Sequence, residues 1–132
     1  MAPSLKSIDH IHVYVRDRAA AETWYSQVLG FSRVQELEFW APNGGPLTIQ
    51  NGSGSIHIAL FERERREYRS TIAFSASATE FLAWQSHLAS ELGHEVKAVD
   101  HDVSWSLYFP DPDGNPYEIT SYEYAELSSH LK

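Results

Sequence analysis

The sequence predicts an α+β fold of two βαβββ modules, about residues 7–62 and 68–124, within a single domain spanning residues 1–132. Two observations predict it. Apolar residues recur with period two and then period 3.6, marking strand and then helix. The same succession of patterns appears twice at a near-constant offset, which is the mark of a duplicated unit.

The first strand is Ile8 to Val15, with Ile11, Val13 and Val15 on one face and His10, His12 and Tyr14 on the other. Asp17 is placed to cap a helix, since its short carboxylate can accept the first free backbone N–H groups. Ala21, Trp24, Tyr25, Val28 and Leu29 then form one apolar stripe, and Gly30 supplies the stop. In the second half, Ser70 to Ala76 alternates in the same way. Ser77 and Glu80 have capping-box spacing. Phe81, Trp84, Leu88 and Leu92 make the stripe, and Gly93 ends it. His10 pairs with Thr71, Trp24 with Trp84 and Gly30 with Gly93, at offsets of 61, 60 and 63 residues.

Three strands are expected after each helix. They are Val34 to Trp40, Pro46 to Gln50 and Ser55 to Phe61 in the first half, and Glu95 to Val99, Ser104 to Phe109 and Pro116 to Ser121 in the second. Turn residues separate them: Asn43-Gly44-Gly45, Asn51-Gly52-Ser53-Gly54 and Asp111-Pro112-Asp113-Gly114-Asn115.

Alternation places the helices on the apolar face of each sheet. The opposite faces carry His10, His12, Tyr14, Thr48, Gln50, His57, Thr71, Ser75, Ser104, Ser106, Tyr108, Glu118 and Thr120. So many hydrogen-bonding groups do not make a dry core. They form either solvent-facing surface or the lining of a wet cavity, and three histidines with a glutamate favour the cavity.

Composition narrows the function. The net charge is −8, from 18 acidic and 10 basic residues. Such a surface repels nucleic acid and anionic lipid. The one basic run, Arg63 to Arg69, is interleaved with Glu64 and Glu67 and reads as a solvated connector. Cysteine is absent, which excludes thiolate metal sites and cysteine nucleophiles. Met1 to Ser7 lacks the apolar core of a signal peptide, and no apolar run approaches the roughly 20 residues that span a bilayer. The expectation is a cytoplasmic protein with neither nucleic-acid nor membrane partner.

Two stretches resemble the vicinal oxygen chelate superfamily, which includes glyoxalases, bleomycin-resistance proteins and extradiol dioxygenases. They are Ile8-Asp9-His10-Ile11-His12-Val13-Tyr14-Val15-Arg16-Asp17, followed by a helix ending Val28-Leu29-Gly30-Phe31, and Ser106-Leu107-Tyr108-Phe109-Pro110-Asp111-Pro112-Asp113-Gly114-Asn115-Pro116-Tyr117-Glu118. The resemblance covers nearly the whole chain. It implies a cup-shaped mixed sheet, helices outside, with a divalent metal (Fe, Mn, Ni or Zn) held on the concave side. It further implies that His10 and Glu118 are metal ligands. Thr71 stands where the family's second histidine belongs, so the usual set of two histidines and a carboxylate is incomplete. His57 is the nearest replacement, although the family's ligand on that strand aligns better with Ala59.

A narrower resemblance covers Asp100-His101 through Phe109, which is similar to the extradiol dioxygenase signature ahead of the glutamate. It implies catalytic roles for His101 and Tyr108, seventeen and ten residues before Glu118, beside the substrate's oxygens. The other histidines read more plainly. His12 is a lining residue, His87 lies on the polar side of the second helix, and His94 and His130 take no role. Trp24 and Trp84 read as core; Trp40 and Trp105 can wall the cup or an interface. The expected function is a metal-dependent enzyme acting on a small oxygen-rich or catecholic substrate, as a homodimer. The alternatives are a metal-free small-molecule binding protein of the bleomycin-resistance type and an interaction protein on a decayed enzyme fold.

Overall fold

One strand order is used twice in the computed structural model, which describes residues 7–64 and 70–132. The chain divides into two compact units, Met1–Arg66 and Glu67–Lys132. Unit 1 runs β1 (Ile11–Val15), α1 (Arg18–Trp24), β2 (Ser32–Arg33), β3 (Leu47–Gln50) and β4 (His57–Glu62). Unit 2 runs β5 (Ile72–Ser75), α2 (Ala78–Leu92), β6 (Val99–Asp100), β7 (Trp105–Pro110), β8 (Pro116–Ser121) and α3 (Tyr124–Leu131). Each unit forms a four-stranded mixed sheet, in the orders β1-β4-β3-β2 and β5-β8-β7-β6. The first strand pairs parallel with the last, and the remaining pairings are antiparallel. The expected α+β class and the two βαβββ modules are therefore present.

In unit 1 the Asp17 carboxylate accepts the Ala20 N–H at 3.0 Å and starts α1. A π-helical turn, Tyr25–Leu29, carries the helix on to Gly30, whose φ of 74° is a conformation that costs other residues a Cβ clash. Val13, Val15, Ile49, Ile58 and Leu60 are buried on one face of the sheet, as are Ala21, Tyr25, Val28 and Leu29 of the helical segment. Each such Ile or Leu contributes roughly 1.5–3 kcal/mol on burial. Unit 2 repeats the plan. Ser77 and Glu80 close a reciprocal capping box, and Gly93 ends α2 at φ 77°. Leu107, Phe109, Tyr117 and Ile119 are buried with Phe81 and Leu88 of α2, and Phe74 and Phe109 stack on Tyr117.

Three expectations fail. Val34 to Trp40 is not a strand. Strand pairing stops after Ser32–Arg33, and Gln35–Asn43 is 3-10 helical. The Leu37 N–H turns back to the Val34 carbonyl at 3.0 Å, and Pro42 and the left-handed Gly44 (φ 81°) end the segment. Glu95 to Val99 yields only the two-residue strand β6. Trp24 and Trp84 are half-buried rather than core. Trp105 is buried, its indole N–H donates to Ser128 Oγ at 3.0 Å, and its ring stacks on Tyr124.

The partners of Trp105 lie on α3, a helix beyond the second βαβββ module that also carries His130. The segment Met1 to Ser7 lies outside the described residues except for Ser7, as do residues 65–69 of the basic run. Among the described residues, no helix is long and apolar enough to cross a membrane.

Candidate functional site

The strand registers sort the polar side chains onto one face of each sheet. In unit 1, His12 lies opposite Ala59, which lies opposite Thr48, and His57 lies opposite Gln50. His10, His12, Thr48, Gln50, His57 and Ala59 therefore share a face, because side chains two apart on a strand point the same way. A cavity of about 170 Å³ opens there, lined by Asp9, His10, Leu37, Trp40, Pro46, Thr48, His57 and Ala59. His57 thus lines the same cavity as His10, and Ala59, the position that aligns with the family ligand, leaves space beside them. The 3-10 segment missed from sequence supplies Leu37 and Trp40, the apolar wall of this cavity.

The imidazoles of unit 1 are organised. His10 Nδ1 lies 2.9 Å from Asp9 Oδ2, and His10 Nε2 lies 3.0 Å from His12 Nε2. His12 also packs on Phe61 at 4.7 Å, while Phe61 carries the Arg63 guanidinium over its ring at 5.4 Å. The Asp9 contact fixes the His10 tautomer. Nδ1 keeps its proton to donate to the carboxylate, so Nε2 presents its lone pair.

In unit 2, Glu118 is flanked in register by Ala73 of β5 and Tyr108 of β7. Ser106 is fully buried, and its hydroxyl donates to Glu118 Oε2 at 2.7 Å while lying 3.1 Å from Thr120 Oγ1. Ser106 thus holds one carboxylate oxygen in place. Tyr108 is on the same face as Glu118, and its hydroxyl lies 2.9 Å from His101 Nε2, with the two rings edge to face. The structure brings His101 and Tyr108 together in one hydrogen bond, beside the strand that bears Glu118. Thr71 precedes β5 by one residue and has the parity of Glu118, so it falls on this face too.

His101 stands on a constrained turn. Its N–H donates to the Ser104 carbonyl at 2.9 Å, and the Val103 N–H returns to the His101 carbonyl at 2.8 Å. Asp102 between them is the one non-glycine residue at positive φ (68°) among the described residues. Such strain persists only where the surroundings hold it. Asp100 does so, accepting the Asp102 N–H at 2.9 Å and the Tyr124 hydroxyl at 2.8 Å, with Lys132 Nζ at 3.7 Å. The Asp102 N–H, with lesser help from Tyr124 and Lys132, holds the Asp100 carboxyl below the usual carboxylate range. The sequence reading missed α3 as this brace, although Tyr124, Leu127 and Leu131 have helical spacing.

The profile of the Glyoxalase/Bleomycin resistance protein/Dioxygenase superfamily matches residues 7–119. The chain belongs to this superfamily. Solved structures of other members have the same fold. Lactoylglutathione lyase from Agrobacterium tumefaciens is 22% identical, with a TM-score of 0.70 over 89% of this chain and 95% of that one. A glyoxalase/dioxygenase from Nostoc punctiforme is 19% identical, with a TM-score of 0.69 over 92% and 95%. The fosfomycin resistance protein FosX from Mesorhizobium loti is 19% identical, with a TM-score of 0.66 over 93% and 98%. At these identities the likeness is one of fold. No curated protein matches the chain in sequence. Superfamily membership frames the His10, Glu118, His101 and Tyr108 geometry without assigning a substrate.

Proposed function

We propose that this superfamily member is a metal-dependent enzyme acting on a small oxygen-rich or catecholic substrate. The observation that carries the reading is the His101–Tyr108 hydrogen bond on the face that bears Glu118. By the family resemblance, His10 of unit 1 and Glu118 of unit 2 are each a candidate donor to a divalent ion of the Fe, Mn, Ni or Zn group. The donor types suit such an ion, and the Asp9 contact at Nδ1 leaves His10 Nε2, which meets His12 Nε2 at 3.0 Å, as the donor atom. When bound, the ion would act as a Lewis acid on a substrate oxygen. The protein's own groups do the rest. Ser106 fixes the Glu118 carboxylate. The Tyr108 hydroxyl and His101 can donate hydrogen bonds to an oxygen on which negative charge develops, and His101 can carry its proton.

The experiment is metal titration by calorimetry with Ni(II) and Zn(II). Glu118→Gln is expected to weaken binding at least about tenfold without loss of fold, since it removes a charged ligand. Thr71→His, which restores an imidazole to the family position, is expected to tighten it. Unchanged binding in Glu118→Gln would remove the metal reading.

A second reading, a metal-free small-molecule binding protein of the bleomycin-resistance type, is favoured by the Leu37, Trp40 and Pro46 wall of the unit 1 cavity. Under it, ligand binding survives chelator treatment. We also propose a cytoplasmic homodimer. Each four-stranded sheet has two edge strands, which proteins usually cover, and light scattering at micromolar concentration is expected to give twice the monomer mass.

A further inference from the structure

We propose that His10 and His12, two residues apart at the start of β1, act together as a two-imidazole chelate for a divalent ion. The proposal shares His10 with the metal reading above and adds His12, a residue the resemblance does not implicate.

The geometry on β1 carries it. His10 and His12 are two apart and share the polar face. Their ring centroids are 5.0 Å apart, whereas their Nε2 atoms are only 3.0 Å apart. The rings, inclined by 23°, therefore converge at their Nε2 edges. Imidazole nitrogens bind Zn and its neighbours at about 2.0–2.1 Å, so donors at this spacing would subtend roughly 90–97° at an ion. That is the cis angle of an octahedral or five-coordinate site, and it leaves positions for a carboxylate and substrate oxygens. Two imidazoles with oxygen donors suit Ni(II), Fe(II), Cu(II) or Zn(II).

The protons fit as well. Asp9 holds the His10 proton on Nδ1, so His10 Nε2 is an acceptor and the proton between the two Nε2 atoms is His12's. An ion entering between them takes the place of that one proton. Phe61 at 4.7 Å limits the tilt of the His12 ring, so the pair loses little side-chain freedom on binding. A His–His hydrogen bond alone would use the same atoms, and titration with metal separates the two.

The test is Ni(II) calorimetry on the intact protein and on His10→Gln, His12→Gln and Glu118→Gln, with Cu(II) electron paramagnetic resonance and melting curves. The chelate requires that His12→Gln weaken Ni(II) binding at least about tenfold, with melting temperature unchanged. It also requires that the Cu(II) spectrum pass from a two-nitrogen to a one-nitrogen pattern. Asp9→Asn should weaken binding in the same direction, through the His10 tautomer. Wild-type affinity and an unchanged Cu(II) pattern in His12→Gln would overturn the inference. If Glu118→Gln alone then lost metal, the reading of His10 with Glu118 would stand without the chelate. If His10→Gln and His12→Gln lost it and Glu118→Gln did not, the chelate would stand and that reading would fall. Absence of Ni(II) binding to the intact protein would overturn both.

Discussion

Unit 1 and unit 2 share a strand order, matched helix caps and glycine stops at Gly30 and Gly93, yet their polar faces carry different chemistry. Unit 1 presents imidazoles: His10 and His57 line a cavity walled by Trp40, and His12 meets His10 beside it. Unit 2 presents oxygens: Glu118, Ser106, Thr120 and Tyr108, with His101 at the end. The apolar faces are alike because packing against a helix leaves few choices of size and shape. The polar faces are released from that constraint, and a duplicated fold can specialise there without losing stability.

The largest effects should fall on the shared apolar face. Leu60 of β4 and Ile119 of β8 occupy equivalent positions, opposite Val13 and Phe74, and both are buried. Alanine at either is expected to cost about 2–5 kcal/mol in urea unfolding. A loss under about 1 kcal/mol at one of them would show that the two units do not share a packing plan.

The turns before the last strands sharpen the comparison. In unit 2 the buried Asp111 carboxylate accepts the N–H groups of Asp113 and Asn115 and the Asn115 side chain. In unit 1 Asn51 does the lighter version, accepting the Ile56 N–H at 2.9 Å. Asp111→Ala is expected to cost about 2–3 kcal/mol and Asn51→Ala about 1 kcal/mol by the same measurement. Equal costs would mean that burial of the carboxylate adds nothing.

The smallest effect is electrostatic. In unit 1 the Arg33 guanidinium, bonded to Glu22 at 2.6 Å, holds the Glu22 carboxyl below its ordinary range. The folded chain therefore binds that proton less readily than the unfolded chain does. The pair's stabilisation is present above the ordinary Glu value of about 4.3 and is lost as pH falls through the lowered folded value. The pair is partly exposed, so about 0.5 kcal/mol is expected. Arg33→Gln should differ from the native protein at pH 7, and the difference should shrink as pH falls through the lowered folded value.

The fold was legible because both signals that define it are local: side-chain alternation in β1, β5 and β8, and the caps at Asp17 and Ser77. What was not legible had local signals pointing elsewhere. Gln35-Glu36-Leu37-Glu38-Phe39 alternates like a strand, but Pro42 and Gly44 close it into a 3-10 segment. The spacing of Tyr124, Leu127 and Leu131 was present but diluted by Ser128, Ser129 and His130. At the site, strand parity placed Tyr108 on the Glu118 face. That His101 reaches the Tyr108 hydroxyl depends on the turn at Asp102, and that turn depends on Asp100 and α3. No residue spacing encodes a contact of that kind.

On the proposed reading, the oxygen-rich face of unit 2 recognises a substrate oxygen through Tyr108. The most direct test is absorbance titration of the metal-loaded protein with 4-nitrocatechol, comparing the native chain with Tyr108→Phe. The substitution keeps the ring and removes the hydroxyl that meets His101 at 2.9 Å. Affinity is expected to weaken about tenfold or more, the worth of one hydrogen bond to a charged oxygen, with the melting temperature unchanged. Unaltered affinity with a lowered melting temperature would show that the His101–Tyr108 pair holds the fold and contradict the claim.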